Sequence, residues 1–437
     1  MSENYEKTLH GVPVYPDVKL YCNIYNGAQI WEADGWKEES LSWKDTCYIH
    51  SGLSGLSEWC IKGPDATKLL SKLSINNCEK WKVNRSKHLV MCDEFGFITN
   101  HVLTVKDAED FYRIFTGMPW PLYQNMINLH YDVEIFPREA SIIQVGGPLS
   151  LTVIEKVIGE SQRDLGFLSY KQVQVPGIES YVEVARVGMA GTLAYELRGS
   201  LEIGPQLYDL VYQAGKPLGM KRLGWRTYVV NHTEGGFPQL GCTFLPSMTD
   251  AGYRDFLGEA GNLDISGSID PSDFTSRFRT PGDVGWIWMA KFDHDFIGRE
   301  AVEAEANNPR RTIVTLRWNK DDVMDIFASQ FQKGEEYKMI EFPCGQQQPA
   351  GGHADLVTKN GAPIGVSSST IYSYYYREVI SHCSISVDQA EIGNEVIVHW
   401  GDFGKRIKEV RATVEAFPFL DLPRNDKYDL STVPSGI

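Results

Sequence analysis

"EWCIKGPDATKLLSKL" occupies residues 58–73, and "SIIQVGGPLSLTVIEKVIG" occupies residues 141–159. The first reads as strand, turn, helix. Pro64 falls where a first helical turn tolerates a missing N–H, and Asp65 complements the positive end of the helix. Ala66, Leu69, Leu70 and Leu73 then recur at i, i+3, i+4 and i+7, the spacing of one helical face. The second stretch repeats the order. Ile142, Ile143 and Val145 read as a strand, Gly147-Pro148 as the turn, and Gly159 as the helix stop. Two strand–Gly-Pro–helix units roughly eighty residues apart predict a duplicated α+β core.

Outward from these units the texture varies. "YVEVARVGMAGTLAYELRG" (181–199) reads as a strand, a glycine turn and a strand, and 204–219 as an amphipathic helix. "RRTIVTLRW" (310–318) opens a strand-rich segment. A polar loop, "CGQQQPAGGH" (344–353), interrupts it, and strands are expected at 363–368, 378–386, 395–400 and 406–416. Short strands with turn residues between them predict a small C-terminal β-barrel or sandwich. The division expected is a body over 1–305, made of two similar subdomains, and a barrel domain over 306–437.

Composition excludes several classes. The chain has 437 residues, 42% hydrophobic and 23% charged, which suits a globular protein of two or three domains. Its net charge of −15 argues against a nucleic-acid partner, which would need a basic face. No apolar run approaches the roughly 18 residues of a membrane span. "MSENYEKTLHGVPVYPD" lacks the basic and apolar regions of a secretory signal. The eight cysteines form no C-x-x-C pair and read as free thiols in a reducing cytoplasm. The histidines show no zinc-binding spacing, so no metal is expected. No Walker A loop, Rossmann fingerprint or G-x-S-x-G elbow is present.

One stretch concentrates proton-capable groups. "YVVNHTEGGFPQLG" (228–241) holds Tyr228, Asn231, His232 and Glu234 beside Gly235-Gly236. The two glycines would let the backbone approach a flat ligand. The aromatics Tyr25, Trp31, Trp36 and Trp43 could wall a pocket, with Trp31 and Trp36 as substrate contacts; an ordinary core placement is the competing reading for each.

Six ordered landmarks resemble the glycine-cleavage T-protein family of tetrahydrofolate-dependent one-carbon transferases. They are "CIKGPDATKLLSKLSINN", "CDEFGFITNHVLTVKDAEDFYRIF", "ARVGMAGTLAYELRG", "LGWRTYVVNHTEGGF", "VGWIWMAKFDHDFIGREA" and "GAPIGVSSSTIYSYYYREVISHCSI". The resemblance implies an α+β folate-binding body with a C-terminal β-barrel and tetrahydrofolate as cofactor. Tyr195-Glu196 matches the family's YE motif, whose glutamate accepts hydrogen bonds from the pterin. Arg226 matches the arginine of its L-G-x-R segment, Trp288 the tryptophan before its "KFD" landmark, and Gly188 its glycine turn, all read as cofactor-binding. Family aminomethyltransferases carry paired aspartates after the glycine turn, where this chain has Thr99-Asn100 followed by His101. Their early Asp-x-Ser reads Gly52-Leu53-Ser54 here. A proton-holding carboxylate is therefore missing, which argues against glycine cleavage itself.

"GWKEESLSWKDT" (35–46) and "YVVNHTEGGFPQ" (228–239) resemble the branch of tetrahydrofolate-dependent aromatic O-demethylases. That branch implies methyl transfer from a methoxylated aromatic compound, giving a phenol and 5-methyltetrahydrofolate. A phenolate is a poor leaving group unprotonated, so a general acid is needed. The resemblance puts the catalytic tyrosine at Tyr228, with Asn231, His232 and Glu234 as groups that could orient its hydroxyl or the substrate; His232 is read as substrate-binding. The alternative within the fold is demethylation of a small sulfonium or N-methyl compound, whose leaving group needs no proton. A third reading is a folate-binding regulatory protein without turnover.

Overall fold

The computed structural model describes residues 15–18, 20–24, 27–54, 57–115, 119–189, 191–258, 265–344 and 352–437. Tyr25 and most of the polar loop 344–353 lie outside the described residues. Two antiparallel sheets carry the duplicated units. In spatial order the first runs Arg85–Cys92, Ile98–Ala108, Phe111–Phe115, Ser57–Lys62 and Glu134–Glu139. The second runs Tyr170–Gln174, Tyr181–Ala185, Ala194–Gly199, Ser141–Gly146 and Tyr48–His50, with the short Lys221–Arg222 added in parallel at the edge. Both therefore order a three-strand meander, the strand that leads into Gly-Pro, and one further strand. That last strand is exchanged. Tyr48–His50 precedes the first unit in the chain yet completes the second sheet, and Glu134–Glu139 does the reverse.

The turn glycines show why each unit needs its Gly-Pro. Gly63 and Gly147 have φ of 144° and 122°. A Cβ at Gly63 would lie 2.5 Å from the Asp132 carbonyl oxygen, and one at Gly147 would lie 2.6 Å from that of Thr46. Both carbonyls belong to the segments leading into the exchanged strands, so each turn is crossed closely by backbone from the other half. The helices start after the turn, at Ala66–Leu73 and Ser150–Ile158. Pro64 thus lies ahead of the N-cap residue Asp65 rather than inside the first helical turn. Ala66, Leu69, Leu70 and Leu73 are fully buried against Ile61, Leu89 and Tyr112; each large one contributes about 1.5–3 kcal/mol by leaving water. Leu151, Ile154 and Val157 do the same beneath the second sheet, where Gly159 ends the helix in the left-handed region.

The C-terminal segment is a closed barrel, not a sandwich. Its order is Arg311–Trp318, Glu378–Ser386, Ala362–Ser373, Asp355–Lys359, Glu395–Trp400 and Lys408–Glu415. Asp355–Lys359 is a strand the alternation did not announce. Trp318 and Trp400 meet edge to face at 5.4 Å in its core. Beyond the barrel the chain returns to the body. Leu420 N donates to Glu234 O, Asn425 Nδ2 to Ala194 O, and Thr152 Oγ1 to Pro434 O. Among the described residues no helix is long and apolar enough to cross a membrane.

Candidate active site

The stretch that opens with Tyr228 is helical. Trp225–Gly235 forms a helix between the second sheet and the barrel, and every residue in it except Arg226 is buried. Thr227, Val229, Val230 and Thr233 are poor helix formers, so tertiary burial rather than propensity sustains it. A carboxylate from another helix holds its N-terminus. Glu39, on the helix Trp36–Asp45, is fully buried. It accepts from Gly224 N at 3.0 Å and Thr227 Oγ1 at 2.9 Å on one oxygen, and from Ala33 N and Asp34 N on the other.

A cross-strand ladder leads from Glu196 to Tyr228. Glu196 pairs in register with Gln144, and Gln144 with His50, so the three side chains share one face of the second sheet. Gln144 Nε2 donates to Glu196 Oε1 at 3.0 Å. The Tyr228 ring stacks on His50 at 4.4 Å and 19°. Two strand spacings, roughly 10 Å, separate Glu196 from His50. His232 lies 4.4 Å from the Tyr228 ring, and Phe237, His101 and Trp286 continue the row at 5.6, 5.5 and 4.1 Å. Rings from both halves of the duplication thus form one line.

The histidines in this line are neutral at physiological pH. Burial pushes His50 down to about 4 and His232 to about 3. His50 Nδ1 faces the Leu223 carbonyl and His232 Nδ1 the Tyr228 carbonyl, each at 2.9 Å. A carbonyl only accepts, so each Nδ1 carries the proton and each Nε2 is an acceptor. Neither Nε2 has a hydrogen-bond partner among the described residues. Gly52 makes room for this arrangement. A Cβ there would lie 2.5 Å from His50 Nε2 and 2.7 Å from Trp225 Nε1. The position where the resembled family carries an aspartate is thus filled by an imidazole from two residues earlier.

At the far end, Glu196 is almost fully buried. Arg198 donates to its Oε2 through Nε at 3.0 Å and Nη2 at 2.6 Å. An ionised carboxylate offers about four acceptor positions; Gln144 and Arg198 use three, so Oε1 can still accept. Beside Arg198 a cavity of about 960 Å³ opens between the two sheets, lined among others by Arg113, Phe115, Tyr170 and Glu183. The cavity is lined by Arg198 and not by Glu196; it is the acceptor position on Glu196 Oε1 that fits a flat heterocycle with N–H donors on one edge.

The structure gathers some expected residues and separates others. Glu196, Tyr228 and His232 lie along one line. Arg226, two residues before Tyr228 and so on the opposite side of the helix, pairs with Glu32 at 2.7 Å and donates to Phe342 O. Trp288 is 71% exposed, while Trp286 is the buried ring beside His101. Trp31 packs at the edge of the Tyr228 core, and Trp36 meets Tyr372 and Tyr374 of the barrel edge to face. Glu234 is taken by Lys44 and Ser373, not by Tyr228. Gly188 sits against Ala194 in the loop before the Glu196 strand. In the same loop, a Cβ on Gly191 would lie 2.9 Å from Gly235 Cα, and one on Gly236 2.5 Å from Pro418 Cβ. Gly235-Gly236 is therefore approached closely by other segments of the chain. Sequence reasoning missed His50, Phe237 and Trp286. For His50 the available signal was its place two residues before Gly52.

Residues 18–250, which span both duplicated units, match the family model described as the GCVT N-terminal domain. The chain belongs to the glycine-cleavage T-protein family. It is 34% identical to a sesamin methylene transferase of a Sinomonas species, over 92% of this chain and 93% of that one. It is 28% identical to a syringate O-demethylase of a Sphingobium species, over 87% and 85%. The fold is that of the glycine cleavage system aminomethyltransferase T from Bartonella henselae, with a TM-score of 0.68, 15% identity, and coverage of 98% and 97%. That T-protein likeness extends past the family model and includes the barrel.

Proposed function

We propose that this chain moves a one-carbon group from an aromatic ether to tetrahydrofolate, releasing a phenol. The observation that carries the reading is the ladder Glu196–Gln144–His50 ending on Tyr228, which puts an acceptor for a pterin edge and a phenolic acid at the two ends of one row, with roughly 10 Å of strand spacing between Glu196 and His50. When bound, tetrahydrofolate supplies the nitrogen that receives the carbon. Glu196 would hold and orient it through the remaining acceptor position on Oε1, with Gly188 in the loop that leads into its strand. His50, His232, Phe237 and Trp286 exclude water and flank a planar substrate. The carbon–oxygen bond breaks with its electron pair on the ether oxygen as the carbon–nitrogen bond forms, Tyr228 Oη gives that oxygen its proton, and the proton displaced from the nitrogen, passed to solvent, balances the one Tyr228 regains. Donor and departing phenol have similar acidities, so the transfer is nearly balanced. The neutral His50 and His232 can accept from a hydroxyl at either end of that transfer.

Methyl transfer from a methoxylated ring is the first reading, and the likeness to the syringate O-demethylase supports it. The higher identity to the sesamin methylene transferase supports a second, in which the donor is a methylenedioxy bridge and the product a catechol. We also propose 1–305 and 306–437 as body and barrel domains. The eight thiols support a reducing, cytoplasmic setting. The deciding assay incubates the protein with tetrahydrofolate and a panel of methoxy- and methylenedioxy-substituted aromatics, and identifies the folate product by mass. A gain of one methyl supports the first reading and a methylene bridge the second. No folate product with any member of the panel would remove both.

A further inference from the structure

Glu196 does not stand alone in the inter-sheet space. Arg198 Nη1 donates to Glu183 Oε1 at 2.7 Å, and Arg113 Nη2 donates to Glu183 Oε2 at 2.6 Å. Arg113 is held in turn by Asp107 and by Glu58 Oε1 at 2.9 Å. Arg113, Asp107 and Glu58 belong to the first sheet, whereas Glu196, Arg198 and Glu183 belong to the second. The duplication gives this chain its logic. Tyr112-Arg113 faces Ile61 and Cys60 as Tyr195-Glu196 faces Val145 and Gln144. The same register position thus carries a cation in one half and an anion in the other, and they are joined through Glu183 and Arg198.

We propose that Arg198 is a positioning residue for the cofactor carboxylate: it sets a positive charge against Glu196 and fixes its plane, and Glu183 and Arg113 hold Arg198. The inference rests on Glu196 being the folate-binding carboxylate. A carboxylate this buried keeps its charge only when a cation or several donors face it. Gln144 supplies one neutral donor and Arg198 supplies the charge. Among the described residues, Tyr48 two strands away also acts on Glu196, while Glu183 on the adjacent strand and Arg113 from the first sheet act on Arg198. Burial raises Tyr48 far above neutrality and lowers His50 to about 4, so neither changes charge between pH 5.5 and 8.

The test is the pH dependence of tetrahydrofolate affinity, read by calorimetry between about pH 5.5 and 8. In the unaltered protein the affinity is expected to be nearly flat. In Arg198→Met the carboxylate loses its cation and takes a proton at higher pH. Affinity should then fall as pH falls, by up to about tenfold per unit. Arg198→Lys keeps the charge without the fork and should restore the flat profile with part of the affinity. A purely architectural arginine would give a loss of the same size at every pH, and that result, or no loss, overturns the proposal. If Arg198→Met does not fold, Glu183→Gln decides. It frees Arg198 from its anchor and should introduce a weaker slope of the same sign; a flat profile overturns the proposal. Glu196→Ala separates the two ideas. Unchanged affinity there removes the folate reading itself, whereas weakened affinity with a flat Arg198→Met profile removes only the role of Arg198.

Discussion

Tyr228 has an imidazole on its ring face and another within 4.4 Å, both kept neutral by burial. A neutral imidazole of such low basicity is a poor acceptor of a phenol's proton, so neither ring competes with an ether oxygen for it. Removing only its hydroxyl, in Tyr228→Phe, should leave tetrahydrofolate affinity intact. Positioned acid catalysis is worth about 10²–10⁴-fold, and the single-turnover rate should fall by that order with KM little changed. The deficit should shrink for substrates that release a more acidic phenol, which needs less help in leaving. Rates above half the original with a simple methoxybenzoate would take the acid role from Tyr228. The residue scale is also where the sequence was least transparent. Glu196 could be named because a two-residue motif marks it. His50 carries only the weaker mark of standing two residues before Gly52, because its role arises from what Gly52 leaves out.

At the scale of elements, the helix Trp225–Gly235 depends on a carboxylate outside it. Glu39 satisfies two donors at the start of that helix and two at the turn before its own helix. Glu39→Ala leaves four donors without their acceptor and should cost about 3 kcal/mol or more, measured by urea unfolding at pH 7.5. Because the helix carries Tyr228, turnover should fall further than folate affinity. A variant as stable as the parent would mean that water replaces Glu39 fully. The elements themselves were legible in unequal degree. The Gly-Pro units and five barrel strands showed in runs of apolar residues bounded by turn residues, even where both faces are buried. The Tyr228 helix did not. Buried on nearly every side, it has no polar face to produce a period, and its β-branched residues point away from helix. The exchange of edge strands was also invisible, since pairing between distant segments leaves no local mark.

For the molecule as a whole, the neutral buried histidines set the acid limit of the fold. His50, His88 and His382 are pushed down to about 4 and His232 to about 3, in each case by desolvation. An unfolded histidine titrates near 6.5. Between that value and about 4, the unfolded chain binds protons that the folded chain refuses. Stability is therefore fully present above pH 6.5 and declines as pH falls. Each histidine contributes a slope of up to about 1.4 kcal/mol per pH unit, and with His101, also pushed well below its usual value by burial, five give roughly 7. A domain-sized stability of about 5–15 kcal/mol would be lost within about one to two units. The expected acid midpoint thus lies roughly between pH 5.5 and 4.5, ahead of most carboxylate protonation. Urea unfolding at pH 7.5, 6.5, 5.5 and 5.0 measures the slope. His382 offers a control away from the Tyr228 rings, because its Nε2 donates to Thr233 O and glutamine could keep that bond. His382→Gln should lower the slope by about a fifth if the five contribute alike. Equal stability at pH 7.5 and 5.0 would mean that the histidines accept protons within the fold, and the neutral environment assigned to Tyr228 would fall with it.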